Sequence, residues 1–388
     1  MKKTIKHFIG GLKGAIIMLF TFLLFPFARL FLWNKKIWIV TEFGYEARDN
    51  GYIFFKYMRE NHKEDNCYYA ISFDSPDYEK VKVLGNVIRF GSFKHFAYYC
   101  AARYLISSKT QGFCPSYYLT LLRKKIHLWG KYVFLQHGIT KDDQKFLYKK
   151  KAKIDLFICG AKPEYDDISS RYGYKEGEVV YTGFARFDTY HNIETKNQIL
   201  IMPTWRRNVE GKVFKETEYF KAWNSLINSS ELNELLKKND LIAYFYMHPH
   251  FKDCIGYFDE TCSNIKIAPF DKVDMQLLVR ESKMLITDFS SLAFDFGYMK
   301  KPVIYYQFDE KEYFDTHYVK GYFDYRRDGF GQVCNLFSQV VDSIAYIIKN
   351  NFDISKEVST NIERFYQLYD TDNSLRIFSS IISLNNKQ

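Results

Sequence analysis

The sequence predicts an α/β protein whose strands lie in parallel sheets covered by helices on both faces. Three observations carry this. Short apolar runs alternate with helical patterns along most of the chain, as strands joined by crossover helices do. The 388 residues give length for two domains, and 19% aromatic content (32 Tyr and 36 Phe) supplies well-filled cores. The stretch from Met284 to Tyr306 reads as a complete βαβ unit: an apolar strand from Met284 to Ile286, a polar corner of Thr287, Asp288, Ser290 and Ser291, a helix from Leu292 to Met299, and a strand from Pro302. Ser290 or Ser291 suits the N-cap of that helix. At the carboxyl end of a strand, such a corner gathers free N–H groups and the positive end of a helix dipole, which suits phosphate. An ordinary capped helix has the same spacing.

At the N-terminus, Met1 to His7 is basic, and Gly14 to Ala28 is an uncharged run of 15 residues. Arg29 interrupts it before Leu30 to Trp33, and Lys35 and Lys36 follow. No small-residue cleavage site of a signal peptide comes after it. The run is short for a membrane span, which takes about 20 residues, and Pro26 and Arg29 weigh against one. Lys13, Arg29, Lys35 and Lys36 beside Phe, Leu and Trp suit an amphipathic helix lying on an anionic membrane face. A buried helix of the first domain is the alternative. Residues 1–34 are thus expected to form a membrane-surface anchor, peripheral on the cytoplasmic side of the cell membrane and not required for the fold.

Residues 35–195 are expected to form the first domain. Lys36 to Thr41 reads as a strand, Glu42 to Gly51 as a polar loop and Tyr52 to Asn61 as a helix. Further strands are expected at Cys67–Phe73, near Val87, and at Tyr104–Ser107, Tyr132–Gln136, Ile154–Cys159 and Val179–Thr182, with helices near Tyr78 and from Phe93. No GxGxxG opens any of these helices, so a dinucleotide site of the usual kind is unsupported. The strand ending at Gln136 is followed by His137 and Gly138. Gly138 is expected to allow a tight turn that leaves His137 exposed, a position suited to a general base, although histidines at strand ends are often structural. Lys141, Lys145 and Lys149 to Lys151 form either a basic flank toward a phosphate-bearing acceptor or a solvated helix face.

Residues 196–388 are expected to form the second domain. Its first strand, Gln198 to Met202, ends in Pro203-Thr-Trp-Arg-Arg207, whose arginines are placed to neutralise a diphosphate. A helix is expected from Tyr219 to Lys237 and a strand from Leu241 to Met247, ending in His248-Pro249-His250. No third ligand accompanies these two histidines, and no metal or other cofactor is expected. Asn264 to Ile267 reads as a strand and Asp271 to Arg280 as a helix. Tyr318 to Asp324 carries Lys320, within reach of a phosphate, and Phe337 to Leu384 is helical by pattern and expected to cross back to the first domain.

The formal charge of +10 points to phosphate-bearing partners. No nucleic-acid motif accompanies it, which leaves an anionic membrane face or a nucleotide substrate. Seven cysteines, at 67, 100, 114, 159, 254, 262 and 334, show no CxxC pairing and read as reduced residues of a cytosolic protein.

Six segments occur in order: Gln136-His-Gly138, Thr182-Gly-Phe-Ala-Arg186, Pro203-Thr-Trp-Arg206, Met247-His-Pro249, Thr287-Asp-Phe-Ser-Ser291 and Lys320-Gly-Tyr-Phe-Asp324. Together they resemble the motif series of the CDP-glycerol glycerophosphotransferase family, which builds teichoic acids and capsular polymers, over roughly residues 36 to 340. The resemblance implies a GT-B-like architecture, with two Rossmann-like domains facing a cleft. It also implies transfer of a polyol phosphate from CDP-glycerol or another CDP-alditol to a hydroxyl of a lipid-linked saccharide or polymer, releasing CMP. It implies His137 as base and His248 against the donor phosphates. Arg206, Thr287, Asp288, Ser290, Ser291 and Lys320 are implied on the donor side, and Gly138 and Lys141 on the acceptor side. Gln136 and Lys320 depart from the Trp and Arg common in the family, which bears on substrate identity more than on reaction class. A nucleotide-sugar glycosyltransferase of the same architecture and a non-catalytic membrane scaffold for polymer synthesis are the rival readings.

Overall fold

The computed structural model describes residues 2–120, 130–209, 213–251, 253–269, 273–316 and 319–384. The expected helix start at Asp271 and the segment start at Tyr318 lie outside them, as does Met1.

Among the described residues the strands form two parallel sheets. The first contains β1 (Trp38–Val40), β2 (Cys67–Ile71), β3 (Val87–Arg89), β4 (Tyr104–Ser107), β5 (Lys131–Phe134), β6 (Leu156–Cys159) and β7 (Val179–Tyr181), in the order β3-β2-β1-β4-β5-β6-β7. The second contains β8 (Gln198–Ile201), β9 (Ile242–Phe245), β10 (Ile265–Ile267), β11 (Leu285–Thr287), β12 (Val303–Tyr306) and β13 (Gly331–Cys334), in the order β10-β9-β8-β11-β12-β13. Each order reverses once, between β1 and β4 and between β8 and β11. At such switch points the loops after neighbouring strands diverge and leave a crevice at the carboxyl ends.

The apolar strands are continuous because both faces are buried. Ile37, Ile39 and Leu105 pack with Phe96, Tyr99 and Cys100 of the helix Phe93–Ala101. Trp38, Val40 and Ile106 point the other way, onto Phe54, Phe55 and Met58 of the helix Asn50–Asn61. Truncating one of these rings, such as the fully buried Phe54, to alanine removes about 3–5 kcal/mol.

The α/β class and the alternation of elements are as the sequence predicts, with local differences. The helix expected from Tyr219 to Lys237 is two, Glu218–Ile227 and Ser230–Lys238. Ser229 breaks it by accepting the Leu232 N–H as a new N-cap. β13 escaped notice because Gly331 and Gln332 interrupt any apolar run. The tail is three helices, Phe337–Lys349, Lys356–Phe365 and Asn373–Ser383. The last reaches the first sheet, where Phe378 stacks on Trp38 and His62. Asp188 accepts the N–H groups of Asn373 and Ser374 at the same contact.

A single helix, Lys2–Leu32, runs through Pro26. Thr21 and Ala28 are buried along it, and Phe20 meets Phe93 and Phe96 edge-on. The other side leaves Leu12, Ile16, Leu19, Leu23, Phe27, Leu30 and Phe31 exposed. The stretch Leu12–Lys35 is long and apolar enough to cross a membrane, with a mean hydropathy of 2.3. This exceeds the length read from the uncharged run, because Leu30 to Trp33 extend it past Arg29. The Arg29 guanidinium lies over the Trp33 ring at 4.2 Å.

Candidate active site

The first wall of the site is built at the β1–β4 switch point. The polar loop after β1 ends at Asp49, which caps the helix Asn50–Asn61 by accepting the Asn50 N–H. Its other oxygen faces Nδ1 of His137 in a very short contact. The Lys109 ammonium, from the loop after β4, lies 3.0 Å from the same nitrogen. Burial alone would push the Asp49 carboxyl up, but His137, Arg186 and Lys109 outweigh it and hold it below the usual carboxylate range. The carboxylate can only accept, so its contact, the shorter of the two, puts the proton on Nδ1 and leaves Nε2 of the exposed ring as an acceptor; the Lys109 ammonium, a donor only, then lies beside that N–H as a charge and not as its hydrogen-bond partner.

The turn that presents His137 differs from the sequence expectation. Its left-handed residue is Gln136, at φ 59°, rather than Gly138. Hydrogen bonds on every side hold Gln136 there. Its amide donates to the Ile158 carbonyl at 2.7 Å and to Glu164 at 2.9 Å, and its side-chain oxygen accepts the Thr140 hydroxyl at 2.7 Å. Glu164 also accepts the Thr140 and Gly160 N–H groups. Burial pushes its carboxyl up to about 7 against the pull of those donors. Glu42 is likewise pushed up to about 7, by burial and by neighbouring Asp49, while accepting the N–H groups of Arg48, Asp49 and Tyr52.

The second wall lies at the β8–β11 switch point. Here Thr287 and Asp288 of the polar corner are buried and hydrogen-bonded within the protein. Thr287 Oγ1 donates to the Met202 carbonyl, and Asp288 accepts the Thr204 N–H at 2.8 Å. Arg206 donates to Asp288 at 2.6 Å and to Asp309 at 2.8 and 3.0 Å. Its guanidinium also sits over Phe289 and Tyr313 and is 1% exposed. The arginine therefore clamps the loops after β8 and β12 onto β11, where the sequence suggested a phosphate contact. Ser290 and Ser291 are half-buried at the start of the helix Leu292–Tyr298. Ser290 Oγ accepts the Leu292 N–H, while Ser291 makes no side-chain cap.

After β9, the His248 ring stacks on His250 at 5.0 Å, and His250 packs against Trp205 at 4.9 Å. His248 Nδ1 accepts the His250 N–H at 3.2 Å. Lys320 is exposed and paired with Asp324 at 3.0 Å. Among the described residues, one group has ligand atoms close enough for a metal, His62, Glu64 and Asp65, and none of the three belongs to either wall.

The two walls touch. A Cβ on Gly138 would lie 2.7 Å from Ser291 Oγ and 3.3 Å from its Cβ, so any side chain there obliges Ser291 to move. Asp143 pairs with Val319, and a Cβ on Gly321 would meet the Lys141 carbonyl at 2.2 Å. Lys141 is accordingly buried, paired with Asp142 and 5.4 Å from the Tyr325 ring centre; it is not on an exposed basic flank. Arg186 donates to Asp49 at 3.1 Å and to the His137 carbonyl at 2.9 Å from its Nη1. Its Nε and Nη2 bind Asp295 at 2.6 and 3.0 Å.

Asp49, Lys109, Arg186 and Asp295 were not singled out as site residues from the sequence. Two signals were present. Asp49 is an acidic residue in the polar loop after the first strand, whose helix starts at Asn50 and not at Tyr52 as expected, and Asp295 is the only charged residue in the otherwise apolar segment Leu292 to Tyr298.

A family model described as CDP-Glycerol:Poly(glycerophosphate) glycerophosphotransferase matches residues 23–383. The minor teichoic acid biosynthesis protein GgaB of Bacillus subtilis (strain 168) is 34% identical over 371 residues, covering 92% of this chain and 40% of that protein. A teichoic acid glycerol-phosphate transferase of Staphylococcus aureus (strain NCTC 8325 / PS 47) is 27% identical over 187 residues, covering 48% of this chain and 45% of that protein. The chain thus spans less than half the length of these relatives. Among solved structures, the wall teichoic acid polymerase TagF superimposes with a TM-score of 0.69 at 19% identity, covering 99% of both chains. A putative UDP-N-acetylglucosamine 2-epimerase from Listeria monocytogenes follows at 0.58 and 13%, covering 91% of this chain and 98% of that one. At these identities the structural likeness carries the fold alone, two Rossmann-like halves of the GT-B kind.

Proposed function

We infer that this chain, which belongs to the CDP-glycerol:poly(glycerophosphate) glycerophosphotransferase family, transfers glycerol phosphate, or a related polyol phosphate, from a CDP-alditol to a hydroxyl of a lipid-linked acceptor in teichoic acid or capsular polymer synthesis. The observation that supports the reading is the Asp49–His137 pair, an exposed imidazole held at a strand end next to Gly138, where the first half approaches Ser291 of the second. The acceptor oxygen attacks the glycerol-bearing phosphorus while His137 Nε2 takes the hydroxyl proton. The bond from that phosphorus to the bridging oxygen breaks, and CMP leaves with the electron pair. Such a transfer asks for alignment and charge stabilisation more than covalent chemistry.

On the donor side, His248 is the ring set against the phosphates, with its Nδ1 accepting the His250 N–H. Ser290 and Ser291 supply hydroxyls, with Lys320 at the rim. Arg206, Thr287 and Asp288 shape this wall from beneath. Lys109 brings positive charge beside the base. The apolar side of the helix Lys2–Leu32 supports peripheral attachment at the cytoplasmic membrane face, because its opposite side is docked on the helix Phe93–Ala101 and leaves only one side for lipid.

Incubation of the protein with CDP-glycerol, CDP-ribitol and UDP- or GDP-sugars, scored by nucleotide release in the presence of lipid-linked acceptor, tests the reading. CMP release from a CDP-alditol is the expected result. Turnover of a nucleotide sugar alone would replace it with the glycosyltransferase reading.

A further inference from the structure

We infer that Asp295 is a positioning residue for the base: acting through Arg186 and Asp49, it sets the tautomer and orientation of His137, so the base is aligned only while the two halves are docked. This rests on the reading of His137 as the base.

The argument begins with what holds the ring. The His137 side chain is 67% exposed, so packing does not fix it; its polar contacts are at Nδ1, with the Asp49 carboxylate and the Lys109 ammonium, and of the two only the carboxylate can accept an Nδ1 proton. Asp49 is itself held on its other oxygen, by Arg186 Nη1 at 3.1 Å. The same nitrogen donates to the His137 carbonyl at 2.9 Å, so one guanidinium edge grips both the partner of the ring and the backbone that carries it. The remaining edge makes a bidentate pair with Asp295, which the Tyr190 hydroxyl also contacts at 2.9 Å.

Asp49, Arg186 and Asp295 are all buried, and they belong to different parts of the chain. Asp49 and Arg186 lie in segments around the first sheet, whereas Asp295 lies in the helix Leu292–Tyr298 between β11 and β12 of the second. Without Asp295, a buried guanidinium would be left with a single carboxylate and would draw Asp49 away from the ring. The strap therefore links the docking of the halves to the proton position on Nδ1. Ser291 begins the same helix and touches Gly138, so donor-side and acceptor-side groups register through one element.

The test combines 15N NMR of the histidine rings with kinetics on the full chain. His137→Ala assigns the His137 signals. In the unaltered protein these report the Nδ1–H tautomer. Asp295→Asn, nearly the same size but uncharged, is expected to move them toward a mixture of tautomers. A misaligned base gives up part of the roughly 10²–10⁴-fold it contributes, so turnover is expected to fall roughly tenfold or more, with donor Kd changed less than about twofold. Arg186→Lys, which keeps the charge but cannot span three acceptors, is the second variant. It is expected to move the same signals, and either variant that folds decides the matter. Asp49→Asn should give the largest change and Asp49→Glu a partial return. Unchanged His137 signals in Asp295→Asn or Arg186→Lys would overturn the strap. If the signals move as expected but His137→Ala keeps full turnover, the strap stands and the assignment of the base fails instead.

Discussion

Replacing Arg206 by alanine separates a structural clamp from a substrate contact. Arg206 is 1% exposed and engages two carboxylates, the fully buried Asp288 and Asp309, whose side chain is 9% exposed. Removing it leaves both without a cation in a poorly solvated site, which costs roughly 3–5 kcal/mol for a buried pair. Asp309 shows the strain already, since burial pushes its carboxyl up even with the arginine present. In a protein of this size each kcal/mol lowers Tm by at most roughly 2–4 °C, so the loss is expected to be several degrees. Differential scanning calorimetry of Arg206→Ala and Arg206→Lys reads this directly. Lysine keeps the charge but not the fork and should fall between the two. If Arg206→Ala melts within about 1 °C of the unaltered protein yet binds CDP-glycerol tenfold more weakly, the clamp reasoning is wrong and the arginine is a donor contact.

Gly138→Val should lower turnover at least tenfold with little change in Tm, because the new side chain meets Ser291 where the walls touch; retained turnover would show that the approach is not needed. Glu164 has a raised carboxyl, so its contribution to stability is complete below about pH 4.5 and is lost as pH rises through about 7. Urea denaturation should accordingly show Glu164→Gln gaining about 2–3 kcal/mol on the unaltered protein between about pH 5 and pH 8; a gap independent of pH would contradict it. Deleting residues 1–34 should release the protein from sedimenting liposomes and also lower its Tm, because Phe93, Phe96 and Cys100 lose the cover of the helix Lys2–Leu32. Continued co-sedimentation would remove the anchor assignment.

The architecture was legible because it depends on local pattern. β4, Tyr104–Ser107, sits where its apolar run lies, and the unit from Met284 to Tyr306 folds as a strand, turn, helix and strand. His137 and His248 were legible as polar residues at strand ends. What the sequence did not reveal was which polar residues face one another. Arg206 and Arg207 look alike in sequence, but the contacts of Arg206 depend on Asp309, 103 positions away. Arg186 is only the last residue of a motif segment until Asp295, 109 positions on, is brought against it. Gln136 at positive φ breaks the local rule that glycine takes such positions, and only its long-range bonds to Ile158 and Glu164 explain it. Lys141 follows the same logic: a lysine in a basic stretch is solvated by default, and the contact between the halves buries it.

The central claim is that His137 is the base on the acceptor hydroxyl, and the most direct measurement is CMP release from CDP-glycerol by His137→Ala beside its donor affinity. The account predicts a fall in turnover of roughly 10²–10⁴-fold, with donor Kd and Tm nearly unchanged, whereas His248→Ala loses donor affinity as well as turnover. A folded His137→Ala protein that still releases CMP at the full rate, or that loses donor binding as His248→Ala does, would contradict it.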